Sequence, residues 1–74
     1  MGKIIRIDLN GLEPPEPMIQ ILSALNDLGA DDILEAVHFR EPVPLYAHLE
    51  EAGFEHKIEQ LGEARYRLSI WKKK

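Results

Sequence analysis

The apolar residues of this 74-residue chain recur at two different spacings, and the order in which those spacings alternate limits the folds open to it more than any other feature. Lys3 to Leu9 alternates with period two, placing Ile5, Ile7 and Leu9 on one face and Ile4, Arg6 and Asp8 on the other, as in a half-buried strand. Asn10-Gly11 breaks the pattern. From Glu16 onward, Met18, Ile21, Leu22, Leu25 and Leu28 form the single stripe of an amphipathic helix, and Gly29 is placed for a left-handed cap behind it. Ile33 to Phe39 is a second strand, apolar enough to lie inside a sheet. Arg40 to Pro44 reads as a loop, because a proline pushes the residue before it out of the helical region. Leu45 to Ala52 is a short helix with Leu45 and Leu49 inward and Gly53 closing it. Phe54 to Leu61 alternates with charges, as an edge strand does. Gly62-Glu63-Ala64 is a tight connection, and Arg65 to Trp71 is the last strand, with Tyr66, Leu68 and Ile70 facing one way.

The resulting β-α-β-α-β-β order predicts an α/β fold of the α+β two-layer sandwich type, a four-stranded mixed sheet with two helices on one face. Right-handed crossovers make the first three strands run the same way, and the closing hairpin reverses the fourth. Glu35, mid-strand, tells the two faces apart. A charge there belongs on the open face, so Leu34, Ala36 and His38 are expected to point toward the helices. Ile4, Ile33, Val37 and Trp71 then share the open face as a modest apolar patch. With no repeat and no internal linker, residues 1–74 are expected to form a single domain.

A chain of this length buries only about 60% of the surface its unfolded form exposes, and it contains no cysteine. Disulfides, thiolate metal sites and thiol nucleophiles are thereby removed together. Nine basic against thirteen acidic residues give a net charge of −4, which argues against nucleic-acid binding, since that needs a basic face to displace counterions. No apolar run approaches the roughly 20 residues of a membrane span, and MGKIIRIDLN lacks the apolar core of a signal peptide. The expectation is a cytoplasmic protein that binds neither nucleic acid nor membrane.

Between the first strand and the first helix stands GLEPPEPM, with Pro14, Pro15 and Pro17 in four consecutive positions. Prolines are tolerated there because the first turn of a helix leaves its N–H groups unpaired in any case, and Glu13 and Glu16 complement the positive end of the helix dipole. A strand ending in Asp8, then Gly11, Leu12, Pro15 and Pro17 ahead of a helix, resembles the SirA/TusA-like family of small sulfur-carrier domains. The likeness extends through the second strand, the proline-containing loop, Gly53 and the final hairpin. At the family's cysteine position this chain has Pro14, so the sulfur relay of that family is excluded. GLEPPEPM together with HFREPVPLY is similar instead to the cysteine-less branch of the superfamily, known as a domain of unknown function. That resemblance implies the SirA/TusA-like fold and, because members of the branch occur beside hemerythrin-like and other redox proteins, a protein or redox partner.

Two parallel neighbouring strands end at the same edge, the edge at which ligands favour open α/β sheets. Glu13 and Glu16 from the first loop and His38, Arg40, Glu41 and Tyr46 from the second are therefore the candidate ligand- or partner-binding residues. Each has a structural alternative: a salt bridge from Arg40 to Glu13, Glu16 or Glu41; a buried His38 imidazole bonded to a loop carbonyl; a packing role for Tyr46 with its hydroxyl at the rim. His38, His48 and His56 match no metal-ligand spacing, although His48 and Glu51 share a helix face, and neither a metal nor a cofactor is expected. His38 with Glu41 or Glu13 is the one acid–base pair available, and a two-layer domain this small is expected to enclose no deep cavity, so no catalytic residues and no enzyme activity are expected. Lys72 to Lys74 reads as a solvated terminus. The sequence thus points to a non-catalytic binding or regulatory module engaging a protein or redox partner. Its rival is a small-molecule or metal-binding accessory domain using His38 and Arg40.

Overall fold

A computed structural model describes residues 2–13 and 15–73; Pro14, where the sequence resemblance would put a carrier cysteine, lies outside the described residues, as do Met1 and Lys74. The elements run β1 (Ile4–Asp8), α1 (Glu16–Asn26), β2 (Ile33–His38), α2 (Leu45–Glu51), β3 (Phe54–Gly62) and β4 (Arg65–Lys72). They build a four-stranded mixed sheet of order β1-β2-β4-β3, with β1 parallel to β2 and with β4 antiparallel to both β2 and β3. The first three strands therefore share a direction and β4 opposes them.

Alternation decides which face is covered. Leu34, Ala36 and His38 are buried while Glu35 between them is not. The register pairs Leu34 with Ile70, Ala36 with Leu68 and His38 with Tyr66, continuing the inward row onto β4. Ile21 and Leu25 from α1 and Leu45 and Leu49 from α2 close over that row, so both helices lie on one face and one core holds the layers together. Leu68 and Ile70 make β4 apolar enough on its inner side to sit inside the sheet. β3, with exposed Glu55 and Lys57, takes the edge. The open face is a ladder of polar pairs. Arg6 binds Glu35 at 3.1 Å, Arg67 binds both Glu59 oxygens at 3.2 Å, and the Trp71 indole N–H donates to Glu55 at 2.9 Å. Ile33, Val37 and Trp71 are half-buried on that side, and Ile4 is exposed.

Two ends differ from the expectation drawn from sequence. Gly29 is not a left-handed cap, since among the described glycines Gly11 and Gly53 have positive φ. α1 stops at Asn26 with Asp27 as its cap, and the Gly29 N–H instead donates to the Asp32 carboxylate at 2.9 Å. A Cβ at Gly29 would lie 2.8 Å from that carboxylate oxygen, so glycine serves close approach here rather than handedness. At the other end, β4 runs through Lys72, and the Lys73 N–H donates to the Gly53 carbonyl at 3.0 Å, so Lys72 and Lys73 belong to the fold instead of trailing from it. Gly53 itself, at φ +85°, ends α2 as its sequence position suggested.

Candidate functional site

Because β1 and β2 are parallel neighbours, the loops that leave them meet at one edge. The first is shaped locally. The Leu9 N–H donates to the Val37 carbonyl at 2.8 Å, the Asp8 carboxylate accepts from the Asn10 N–H at 2.9 Å, and Gly11 turns the chain at φ +86°. α1 then begins without a side-chain cap. Pro15 and Pro17 bring no N–H to satisfy, and the Glu16 N–H is bonded to the Glu13 carbonyl at 2.9 Å. The second loop tightens in the same manner, with the Leu45 N–H donating to the Pro42 carbonyl at 3.0 Å to launch α2.

Between the two loops lies a pocket of about 370 Å³. Pro15, Pro17, Met18 and Ile21 form one wall, Pro42, Pro44 and Leu45 the other, and Ala36, His38, Leu68 and Tyr66 the floor; Leu9, Arg40 and Glu41 complete the lining. The floor follows from sheet register, since Ala36 pairs with Leu68 and His38 with Tyr66. Room remains above it because Ala36 is the small residue of the inward-facing row on β2. The result is a concavity at the loop edge that remains open to solvent, not an enclosed cavity. The volume falls within the range of small-molecule sites, and so does the predominance of apolar walls.

His38 is the buried polar residue of the floor, 7% exposed, beside the half-buried Tyr66. Its Nδ1 lies 3.3 Å from the Arg40 carbonyl oxygen and 3.4 Å from the Arg40 backbone nitrogen, so the loop carbonyl expected beside it is present. Its Nε2 is buried and, among the described residues, has no hydrogen-bond partner. A buried polar atom without a partner carries the full cost of its lost hydration, and such atoms are few in native structures. Arg40, by contrast, forms no ion pair among the described residues, which sets aside the salt-bridge reading with Glu13, Glu16 or Glu41. Its guanidinium rests 5.3 Å above the Phe39 ring centroid. The Glu41 carboxylate accepts the Tyr46 hydroxyl at 3.1 Å. Tyr46 packs against the core and stacks on His56 at 4.5 Å, and burial, together with that bond to Glu41, pushes its phenol up to about 12.

Of the six residues singled out from sequence, the structure brings His38, Arg40 and Glu41 into one lining and ties Tyr46 to it through Glu41. Glu13 and Glu16 are exposed and outside the lining. Sequence reasoning placed the two proline loops at this edge without naming their prolines as walls, and it missed Met18 and Tyr66. The inward parity of Tyr66 was legible, but its place beside His38 depends on β4 inserting next to β2. Among the described residues no three His, Asp or Glu side chains gather as a metal site would, and His48, His56 and His38 lie on different elements.

Among the described residues no helix is long and apolar enough to cross a membrane. No curated protein and no solved structure matches the chain. One family model does match, that of the uncharacterized conserved protein DUF2249, over residues 6–72. That span contains every strand and helix from Arg6 onward, both loops and the whole pocket lining, and the chain belongs to the DUF2249 family.

Proposed function

We propose that the domain is a non-catalytic binding module whose working surface is the pocket between the two proline loops, engaging a protein partner there. The observation that carries the reading is the unpartnered Nε2 of His38 in an otherwise apolar, preformed concavity. A fold gains nothing from such an atom, whereas a ligand that bonds to it restores the lost interaction. Proline on both walls keeps the cost of ordering the loops low when something binds. The Nδ1 of His38 is held by backbone atoms of Arg40, and the Glu41 carboxylate is bonded to Tyr46, an arrangement that supports a binding role for the ring. The relationship to the cysteine-less SirA/TusA-like branch, with a hemerythrin-like or other redox protein as partner and a cytoplasmic location, is part of the same proposal. Its support is the β-α-β-α-β-β order and the Gly11, Leu12, Pro15, Pro17 signature. A second reading, a small-molecule accessory domain, is favoured by the pocket's volume.

The test compares melting temperature with captured partner for Arg40→Ala and for Ala36→Leu, the latter placing a larger side chain on the pocket floor. Arg40→Ala removes a cation–π contact of about 0.5–1 kcal/mol and no ion pair, so the fold is expected to keep most of its stability. The partner is expected to bind about thirtyfold more weakly, the scale of a hot-spot residue. If one set of proteins is captured equally by the wild type and by both folded variants, the pocket is not the working surface and the open face becomes the better candidate.

A further inference from the structure

Resting on the reading of this pocket as the binding site, we propose that its occupant is a neutral group of one or two rings carrying a single hydroxyl or carbonyl oxygen, bonded to Nε2 of His38. Size sets the first limit. A cavity of about 150 Å³ takes up benzene, and this pocket is about 370 Å³, enough for a substituted single ring or a fused pair. The walls set the second. Pro15, Pro17, Pro42 and Pro44 present stiff saturated faces, and Met18 offers a sulfur that packs well against an aromatic edge.

Charge sets the third limit. Arg40 holds its guanidinium over Phe39, and Glu41 has its carboxylate on Tyr46. An ionised occupant beside the buried His38 would lose its hydration against mainly apolar walls, and an exposed, solvent-screened guanidinium such as that of Arg40 returns little of that cost. Finally, Nδ1 of His38 lies between the carbonyl and the N–H of Arg40, at 3.3 and 3.4 Å. Either neutral tautomer of the imidazole is supported from that side. Nε2 can then donate to a carbonyl or accept from a hydroxyl, and both oxygen types fit.

The same chemistry could come from a free small molecule or from a tyrosine-like side chain of a partner, and four probes separate the possibilities. The full chain, labelled with 15N and with 13C methyl groups, is titrated with p-cresol, toluene, p-toluate and N-acetyl-tyrosinamide. We expect p-cresol to shift Met18, Leu45 and His38 together and to bind about fivefold more tightly than toluene, the scale of one net hydrogen bond. We expect p-toluate to bind least. His38→Leu is expected to bring p-cresol down to the affinity of toluene. Should that variant fail to fold, the wild-type comparison still decides. Binding of N-acetyl-tyrosinamide on a par with p-cresol assigns the site to a partner's side chain, and binding of p-cresol without it assigns the site to a free molecule. Equal affinity for toluene and p-cresol, or tightest binding of p-toluate, overturns the inference while leaving the pocket a binding site. No shift of the pocket residues by any probe removes the underlying reading as well.

Discussion

Tyr46 and Glu41 show how much of this edge is set by single side chains. The phenol donates to the carboxylate at 3.1 Å while its ring stacks on His56. Burial first, and the Glu41 bond second, raise its titration from 10.0 to about 12. A folded-state value above the unfolded one means that the contribution to stability is complete below pH 10 and fades as pH rises through about 12. The Tyr46 Cζ resonance is accordingly expected to report a protonated phenol at pH 11, and Glu41→Gln to move the titration back toward 10. A wild-type midpoint near 10 would show that the bond does not persist in solution. Sequence placed both residues at this edge because a strand end and a helix start converge there. It could not assign the bond, which depends on Pro42 and Pro44 folding the loop so that residues five apart face each other. For Arg40 the alternatives left open by sequence narrow for a similar reason, because the side chain sits over Phe39 and forms no ion pair among the described residues.

At the scale of elements, period and parity were enough to read the architecture. Strands and helices fall within a residue or two of the apolar patterns, and Glu35 identified the open face, because a wrong parity would bury a charge and expose Leu34 and Ala36 together. The failure at Gly29 is instructive. A glycine behind an apolar stripe looks like a helix cap, but the Asp32 carboxylate takes over the capping of this connection, accepting from the Gly29 N–H at 2.9 Å and the Lys3 N–H at 3.1 Å. It thereby ties the end of α1, the start of β2 and the chain entering β1 to one side chain. Those backbone bonds, Gly29 first and Lys3 second, hold the Asp32 carboxyl below its ordinary 3.8. A depressed folded-state value gives stability that is present above the unfolded value and lost as pH falls through the folded one. Asp32→Ala is therefore expected to melt below the wild type at pH 7, with the gap closing as the pH is taken below 3.8. A gap that stays constant across that range in paired thermal melts would contradict the clamp.

At the scale of the whole molecule, the pocket is a product of long-range arrangement. It needs β1 and β2 parallel so that both loops share an edge, β4 seated beside β2 so that Leu68 and Tyr66 extend the floor, and Ala36 small enough to leave space. Each residue type was visible in the sequence, but a void between two loops has no local signature. The open face makes the same point, for the sequence suggested an apolar patch of Ile4, Ile33, Val37 and Trp71 there, whereas the cross-strand register adds the pairs Arg6–Glu35 and Arg67–Glu59. The central claim is that the molecule keeps His38 for binding at some cost to its own stability. The most direct measurement is the unfolding free energy of His38→Leu. Removing a buried, unpartnered ring nitrogen recovers about 1–3 kcal/mol of lost hydration. Against this stands the loss of the long Nδ1 contacts to Arg40, on the order of 0.5–1.5 kcal/mol. The account predicts a variant at least as stable as the wild type that no longer distinguishes p-cresol from toluene. A variant less stable by about 2 kcal/mol or more would mean that the imidazole is held for the fold, and would contradict the claim.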